Sequence, residues 1–165
     1  MNYCFECGTK LIMRKPNDLD PEAPYCPKCE AFRFPVFNCA ISTVIINQAH
    51  TKVLFIQQYN RHSNVLVAGY ISKGENAIET LKREVKEEVG LDVIDYYFND
   101  TKYFEPSNTL MINFISVVDS EAIRINDGEV DQAKWFDLED ALTEIRPNSL
   151  AKQFVTTAVK KIKNL

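Results

Sequence analysis

A segment near the middle of the chain has the spacing of an amphipathic helix that ends at a defined residue. Ile78, Leu81 and Val85 recur at intervals of three and four, which places them on one stripe of a helix. Gly90 follows this stripe, and glycine commonly ends a helix because it adopts the left-handed conformation without strain. The pattern predicts a helix over residues 77–89 whose apolar stripe packs against a sheet.

Three glutamates of this helix share a face that is separate from the apolar stripe. Glu84, Glu87 and Glu88 stand at positions i, i+3 and i+4. Like charges so placed repel each other by roughly a few tenths of a kcal/mol per pair, so the helix gains no stability from them. Divalent cations would offset this repulsion. A solvated acidic face is the alternative for these three residues taken alone.

The rest of the chain beyond residue 35 combines β-branched or aromatic runs with two further helical segments. Strands are predicted over residues 36–46, 53–58, 65–67, 93–98, 102–104, 110–118 and 132–136, and helices over residues 138–144 and 149–162. These elements mix without a strict alternation of strand and helix, so the pattern favours an α+β fold or a sandwich around a mixed sheet.

Four of the five cysteines form two close pairs within residues 1–34. Cys4 and Cys7 are separated by two residues, as are Cys26 and Cys29, and 18 residues lie between the pairs. This spacing is typical of a structural zinc site with four thiolate ligands, which leave the Zn²⁺ no open position for catalysis. Such a ribbon has one of two roles. It stabilises the fold or a dimer contact, or it binds nucleic acid, and the acidic composition favours the stabilising role. Cys39 lies in an apolar strand and is predicted to be a buried thiol.

The glutamate helix belongs to a longer pattern. The chain matches G-x5-E-x7-R-E-U-x-E-E-x-G-U, where U is a bulky aliphatic residue, at all nine fixed positions: Gly69, Glu75, Arg83, Glu84, Val85, Glu87, Glu88, Gly90 and Leu91. The chain therefore resembles the Nudix hydrolases. The resemblance implies an α/β/α sandwich around a mixed sheet over residues 35–165, preceded by the small zinc ribbon.

The resemblance also implies roles for individual residues. Glu84, Glu87 and Glu88 are similar to the family's ligands for Mg²⁺ or Mn²⁺, which suit hard oxygen donors and lower the pKa of an attacking water. Glu75 and Arg83 are similar to the pair that braces the loop against the helix, Gly69 and Gly74 would shape this loop, and Gly69 is also a candidate substrate contact. The general base varies within the family. The candidates are Glu88 and, outside the helix, Glu129, and the sequence leaves both open.

A cysteine ribbon immediately before such a domain is similar to the NADH pyrophosphatase subgroup. Downstream of the helix this subgroup carries S-Q-P-W-P-F-P-x-S-L-M, and the segment 101–111 agrees outright at Leu110 and Met111, while its prolines are displaced and Glu105 adds a charge. Tyr103 and Phe104 are candidates to stack on a substrate ring, with a place in the core as the alternative. Met111 is a further candidate substrate contact.

The expected substrate is NADH or a related dinucleotide, which hydrolysis would split into two mononucleotides. If the protein is a pyrophosphatase for another nucleotide, the alternative substrates are a nucleotide sugar, ADP-ribose or a damaged nucleoside triphosphate. Outside enzymes, the alternative is a regulator that only binds nucleotide or nucleic acid. The complete set of metal-binding glutamates argues against this last option.

Composition limits the partners and the compartment. The net charge of −4 gives no general attraction to nucleic acid, so a small nucleotide is the expected partner. The sequence has no leader pattern and no apolar run long enough to span a membrane, which favours a cytoplasmic protein without membrane contact. The resemblance implies a homodimer and, relative to full-length members of the subgroup, a shortened chain.

Overall fold

The structure, a computed structural model, describes residues 2–125 and 128–165. The chain divides into two compact units, Met1–Phe37 and Asn38–Leu165. The sequence placed the boundary of the cysteine ribbon at residues 34 and 35, and this division into functional domains stays a prediction. In the part of the chain that the structure describes, no helix is long and apolar enough to cross a lipid bilayer.

The first unit is a small antiparallel sheet with very little apolar core. Its strands are β1 (Ile12–Arg14), β2 (Ala23–Cys26) and β3 (Ala31–Phe32), with β2 in the centre. Among the described residues of this unit, the buried apolar side chains are those of Cys4 and Cys26. So small an apolar core contributes little hydrophobic stabilisation, so this unit needs another source of stability.

In its described residues, 38–125 and 128–165, the second unit has six strands and three α-helices. They are β4 (Asn38–Ile46), β5 (Lys52–Gln58), β6 (Val67–Tyr70), α1 (Ala77–Val89), β7 (Val93–Phe104), β8 (Thr109–Val118), β9 (Val130–Asp137), α2 (Ala141–Glu144) and α3 (Leu150–Ile162). The strands form one sheet in the order β7-β8-β4-β5-β9, and β6 pairs with β4. Strands β4 and β8 run parallel, and the other described pairs are antiparallel, so the predicted mixed sheet is confirmed.

Both faces of this sheet are covered by helices. On one face, Leu81, Val85 and Val89 of α1 pack into a buried cluster with residues of β4 and β5. On the other face, α2 and α3 pack into a second cluster that includes Phe55 and Phe154. Two helical layers around one sheet are the α/β/α sandwich that the resemblance implied.

Helix α1 has the predicted bounds because its two ends are defined by local chemistry. Asn76 caps the first turn by accepting from the backbone N–H groups of Ile78 and Glu79, and the Glu79 side chain accepts from the Asn76 backbone N–H. This reciprocal capping box satisfies amide groups that would otherwise lack partners. Gly90 ends the helix with a φ of 72°, a value that glycine adopts without strain.

The observed elements differ most from the predicted ones in three regions of the chain. The segment from Val93 to Phe104 is one strand of 12 residues, because register irregularities accommodate the polar residues that the sequence placed between two strands. Strand β6 covers Val67–Tyr70 rather than 65–67. The helix predicted over 138–144 is a 3₁₀ turn, Leu138–Asp140, followed by the single turn of α2.

Candidate active site and cysteine cluster

Gly69 of β6 allows helix α1 to approach the sheet very closely. A Cβ atom at residue 69 would lie 1.9 Å from Oε1 of Glu84, a distance at which the two atoms would overlap. Only glycine therefore permits the observed position of the Glu84 carboxylate. The backbone of Gly69 pairs with Ile41 of β4, so this contact fixes Glu84 relative to the centre of the sheet.

Arg83 ties the loop before α1 to the acidic face of the helix. Its Nε and Nη2 donate to the two oxygens of Glu75 at 2.7 and 3.0 Å, and its Nη1 donates to Glu84 and Glu87 at 2.7 and 2.9 Å. Glu75 also accepts from the Ser72 backbone N–H and the Thr80 hydroxyl. These hydrogen bonds lower the pKa of Glu75 to about 2, and those from Arg83 have the largest effect.

Glu84 and Glu88 are buried carboxylates that lie close to each other. Burial raises the pKa of Glu88 to about 8, and the nearby charges of Glu84 and Glu129 add to this effect. Burial also raises the pKa of Glu84. Oε2 of Glu88 is fully buried and has no hydrogen-bond partner among the described residues. Two adjacent buried carboxylates, one with an unpaired oxygen, fit a cation such as Mg²⁺ or Mn²⁺.

The three glutamates nevertheless differ in their surroundings. The side chain of Glu87 is 59% exposed, whereas that of Glu84 is 11% exposed, although both bind the same nitrogen of Arg83. Across residues 2–125 and 128–165, the four cysteines are the only group of at least three Cys, His, Asp or Glu residues whose ligand atoms all lie within 4.8 Å of one another. The glutamates share a face, as predicted, without forming so compact a cluster.

Glu129 lies in the turn immediately before β9 and is exposed. Its charge contributes to the raised pKa values of both Glu84 and Glu88, so it is near both carboxylates. The fold therefore brings together two regions of acidic residues, one in α1 and one before β9, that the sequence had named as separate candidates.

A cavity of about 600 Å³ lies beside β6, where it is lined by Ala68, Gly69 and Tyr70. Gly69, Phe104 and Met111, three of the predicted substrate contacts, line this cavity. The fourth, Tyr103, is not a lining residue. Successive residues of a strand point to opposite faces, and the Tyr103 hydroxyl instead donates to Oδ1 of Asn108 at 2.5 Å. The structure thus does not bring Tyr103 to the cavity.

Sequence reasoning missed several residues of this cavity. Ser42 of β4 lies on its wall, as do Arg146 and Ser149 near the start of α3. Ser42 and the adjacent Thr43 interrupt the apolar run of β4, and this interruption of the pattern was the available signal. Arg146 and Ser149 carry no comparable signal, because an arginine and a helix-capping serine are ordinary residues in a loop before a helix.

The four paired cysteines converge in the first unit. The Sγ atoms of Cys4 and Cys29 are 3.9 Å apart, and those of Cys7 and Cys26 are 3.5 Å apart. These distances are too long for a disulfide and near the edge of about 3.8 Å expected for a tetrahedron of sulfurs at about 2.3 Å from zinc. Arg33 donates to Sγ of Cys4 and lowers the pKa of this thiol to about 6. The donor set fits a Zn²⁺ ion.

The NUDIX domain model matches residues 38–156 of the chain. The chain belongs to the Nudix family. Among solved structures, a NUDIX hydrolase from Nitrosomonas europaea superimposes with a TM-score of 0.66 at 16% identity, covering 99% of this chain and 92% of that one. The NUDIX domain of Shewanella oneidensis NrtR, solved with ADP ribose, gives a TM-score of 0.66 at 19% identity over 84% of this chain and 94% of that one. Both similarities support the Nudix fold.

Curated Nudix relatives include proteins with the name NAD-capped RNA hydrolase NudC. The one from Chromobacterium violaceum is 27% identical over 164 residues, which cover 99% of this chain and 60% of that protein. The one from Vibrio atlanticus is also 27% identical, with coverage of 99% and 59%. The chain thus spans about 60% of the length of these relatives. Since they match nearly the whole chain, the similarity extends over the cysteine cluster as well as the Nudix domain.

Proposed function

We propose that this protein is a Nudix pyrophosphohydrolase that depends on Mg²⁺ or Mn²⁺ and cleaves the diphosphate of a dinucleotide such as NADH. The observation that carries the proposal is the pair of buried carboxylates, Glu84 and Glu88, of which Glu84 lies against Gly69, a residue that lines the cavity. The unpaired Oε2 of Glu88 is unfavourable in a protein that binds nothing there. A Mg²⁺ or Mn²⁺ ion held by these carboxylates would offset that cost and would supply positive charge for binding a diphosphate.

In this proposal Glu84 and Glu88 hold the cation, and Glu87 contributes from the same helical face. A bound Mg²⁺ or Mn²⁺ supplies positive charge for the diphosphate and lowers the pKa of a water molecule. Arg83 is a positioning residue, because it is fixed by both oxygens of Glu75 and itself binds Glu84. Gly69 provides the space that the Glu84 carboxylate occupies.

We assign the proton acceptor to Glu129. A carboxylate that binds a cation is stabilised in its charged form, which makes Glu88 a poor base when the site is loaded. Glu129 is exposed and lies near both buried glutamates. In the reaction, the oxygen of a water molecule attacks one phosphorus, the bridging P–O bond breaks, and the water's proton passes to Glu129. Two mononucleotides leave.

Three observations support a dinucleotide substrate. The cavity is large enough for an aromatic ring with its ribose, and Phe104 and Met111 offer apolar contacts to such a ring. The similar NrtR domain was solved with ADP ribose, which contains the same kind of diphosphate. The relatives carry the name NAD-capped RNA hydrolase, and an NAD cap also contains this bond. The four cysteines are proposed to bind a structural Zn²⁺ outside this reaction.

Hydrolysis of NADH with Mg²⁺, with Mn²⁺ and with a chelator tests the proposal, with the products separated by chromatography. The expected result is metal-dependent release of two mononucleotides, which Glu88→Gln lowers by at least about a hundredfold. Glu79→Gln is the matched control, because it changes a glutamate of the same helix and glutamine also completes a capping box. Metal-dependent activity of Glu88→Gln within about threefold of wild type would contradict the assignment.

The same assay separates the two acidic groups. Glu129→Gln is expected to lower kcat by about a hundredfold or more, the usual contribution of a general base, while the affinity for Mg²⁺ stays within about threefold of wild type. Glu88→Gln is expected to weaken Mg²⁺ binding as well. An equal loss of Mg²⁺ affinity in both variants would show that Glu129 is a ligand and not the proton acceptor. NAD-capped RNA serves as a further substrate in this assay.

A further inference from the structure

Three polar side chains form a buried hydrogen-bonded line across the sheet and under α3. Asn99 of β7, Asn113 of β8 and Ser42 of β4 are each at most 4% exposed. Nδ2 of Asn99 donates to Oδ1 of Asn113 at 2.8 Å, and Nδ2 of Asn113 donates to Oγ of Ser42 at 2.7 Å. The line ends at the cavity, because Ser42 is one of the cavity's lining residues.

A backbone carbonyl of α3 fixes the direction of these hydrogen bonds. Nδ2 of Asn99 also donates to the carbonyl oxygen of Phe154 at 2.9 Å. A carbonyl only accepts, so the nitrogen of the Asn99 amide must face it. Reversing this amide would place two carbonyl oxygens against each other. The present orientation leaves Oδ1 of Asn99 without a partner, and it is nevertheless the more favourable of the two.

The orientation of the Asn99 amide determines which atoms donate and which accept at Asn113 and Ser42. Oδ1 of Asn113 must face Asn99 to accept, so Nδ2 of Asn113 faces Ser42 and donates to it. Oγ of Ser42 is therefore an acceptor in this line. Its own hydrogen has no acceptor among the side chains and backbone groups of the described residues, and the side that remains open to it is the cavity.

We infer that Ser42 is a specificity-determining hydrogen-bond donor that recognises an acceptor atom of a nucleotide base in this cavity, such as a ring nitrogen of adenine or the carboxamide oxygen of nicotinamide. The inference rests on the proposed function, which puts one ring of the substrate there. Phe104 and Met111 supply apolar contacts for a ring but no hydrogen bond that distinguishes one ring from another. A hydroxyl that is already held by a hydrogen bond from Asn113 has fewer orientations than a free hydroxyl, so less entropy is lost when it donates to a ligand and it discriminates more strongly.

Equilibrium titration of three ligands tests this inference without requiring catalysis. Nicotinamide mononucleotide and AMP each carry one ring of a dinucleotide, and ribose 5-phosphate carries the sugar and phosphate without a ring. Removal of the hydroxyl in Ser42→Ala is expected to weaken binding of at least one mononucleotide by about three- to tenfold, the range for one neutral hydrogen bond. Binding of ribose 5-phosphate is expected to stay unchanged.

Two further variants distinguish the hydroxyl from the packing around it. Thr43→Val is the matched control, because Thr43 is the next residue of β4, and its hydroxyl bonds to Ser116 rather than lining the cavity. It is expected to bind all three ligands as wild type does. Ser42→Thr retains the hydroxyl and is expected to keep most of the affinity that Ser42→Ala loses. Thermal unfolding of each variant verifies that it is folded.

The possible outcomes separate this inference from the proposed function. Unchanged binding of both mononucleotides by Ser42→Ala overturns the inference, as does an equal loss in Ser42→Ala and Ser42→Thr. A loss that extends to ribose 5-phosphate indicates a general disturbance of the cavity and also overturns it. Absence of metal-dependent hydrolysis of any nucleotide by wild type overturns the proposed function alone, since the titrations measure binding.

Discussion

Burial gives Glu88 a protonation behaviour that differs from that of an exposed carboxylate. Its pKa is about 8 in the folded protein, against an ordinary value of 4.5. Between these pH values the folded state keeps a proton that the unfolded state has lost, so stability must fall as the pH rises through this window. In metal-free protein, we expect wild type and Glu88→Gln to have similar stability near pH 5. At pH 8.5 the variant should be more stable than wild type by on the order of a few kcal/mol.

Thermal unfolding in the presence of a chelator, from pH 5 to pH 8.5, measures this difference. Addition of Mg²⁺ should restore the stability of wild type at high pH and leave Glu88→Gln nearly unchanged, because a cation stabilises only the ionised carboxylate. Glu79→Gln, whose glutamate caps the helix, should follow wild type throughout. A constant difference between wild type and Glu88→Gln at all pH values would contradict the buried, titrating carboxylate.

Gly69 and Gly74 allow a matched pair of substitutions with opposite consequences. A Cβ atom at residue 69 overlaps the Glu84 carboxylate, whereas a Cβ atom at residue 74 meets nothing within 4 Å but requires a φ of +97°. We expect Gly69→Ala to lower kcat by at least about tenfold, since a displaced ligand of this kind raises the barrier by about 1.4 kcal/mol or more. Gly74→Ala should keep its activity and lose about 1 kcal/mol of stability. Steady-state kinetics and denaturant unfolding measure both effects.

The sequence predicted which glutamates share a face but not which of them are buried. The i, i+3, i+4 spacing follows from helical geometry alone. The burial of Glu84 and Glu88 and the exposure of Glu87 depend on the close approach of α1 to β6, which the periodicity of the helix does not reveal. Tyr103 and Phe104 illustrate the same limit, since only the register of the strand determines which of the two faces the cavity.

Among the elements, those with strong local chemistry matched their prediction most closely. Helix α1 begins and ends as predicted because its caps are encoded within a few residues. Strand β7 was predicted as two strands because residues 99–101 are polar. The structure keeps these residues in one strand, since Asn99 finds partners in β8 and α3. Such long-range partners are not visible in a local pattern, so strand continuity could not be predicted.

The cysteine cluster is the element whose stability should depend most on a metal. We expect about one Zn²⁺ per chain in purified protein, and little or none in Cys26→Ser, because Cys26 is a buried member of the four-sulfur cluster. Loss of Zn²⁺ should increase hydrogen exchange in residues 2–37. The residues of the carboxylate site should keep their exchange rates, because the proposed hydrolytic groups belong to the second unit.

Metal analysis of wild type and Cys26→Ser, combined with hydrogen exchange, tests this expectation. Cys39→Ser is the appropriate control, because Cys39 is a free cysteine of the second unit and not a member of the cluster. It should retain the full Zn²⁺ content. Carefully purified wild-type protein without Zn²⁺ would exclude the proposed zinc site.

At the scale of the whole Nudix domain, β6 connects the two parts of the proposed site. Its Gly69 contacts the Glu84 carboxylate of α1 and also lines the cavity on which residues of β8 and the segment before α3 converge. The diphosphate would therefore be recognised from one helical layer and the ring from the other side of the sheet. The chemistry of the reaction and the choice of substrate are thus assigned to different groups of residues.

This division predicts the substrate selectivity. In the proposed site, the carboxylates and their cation would contact only the diphosphate, which dinucleotides, ADP-ribose and nucleoside triphosphates share in some form. Discrimination must then come from the cavity, where the segment 101–111 lacks the proline frame of the NADH pyrophosphatases and adds Glu105. The segment is the hairpin between β7 and β8, and without those prolines we expect its turn to lose more entropy when it closes on a ring, which reduces the preference for any one ring. We expect cleavage of several dinucleotides, with little difference between oxidised and reduced NAD.

Measurement of kcat/KM for NADH, NAD, ADP-ribose and a nucleoside triphosphate under one metal condition tests this selectivity. The values for the three diphosphate compounds should lie within about a hundredfold of one another, which corresponds to about 2.7 kcal/mol in transition-state binding. Ser42→Ala should bring these values still closer together, because it removes the one fixed donor assigned to the ring. A preference of more than about a hundredfold for one compound would mean that the cavity is pre-organised despite the missing prolines. In that case, the segment 101–111 must be held rigid by contacts such as the hydrogen bond from Tyr103 to Asn108.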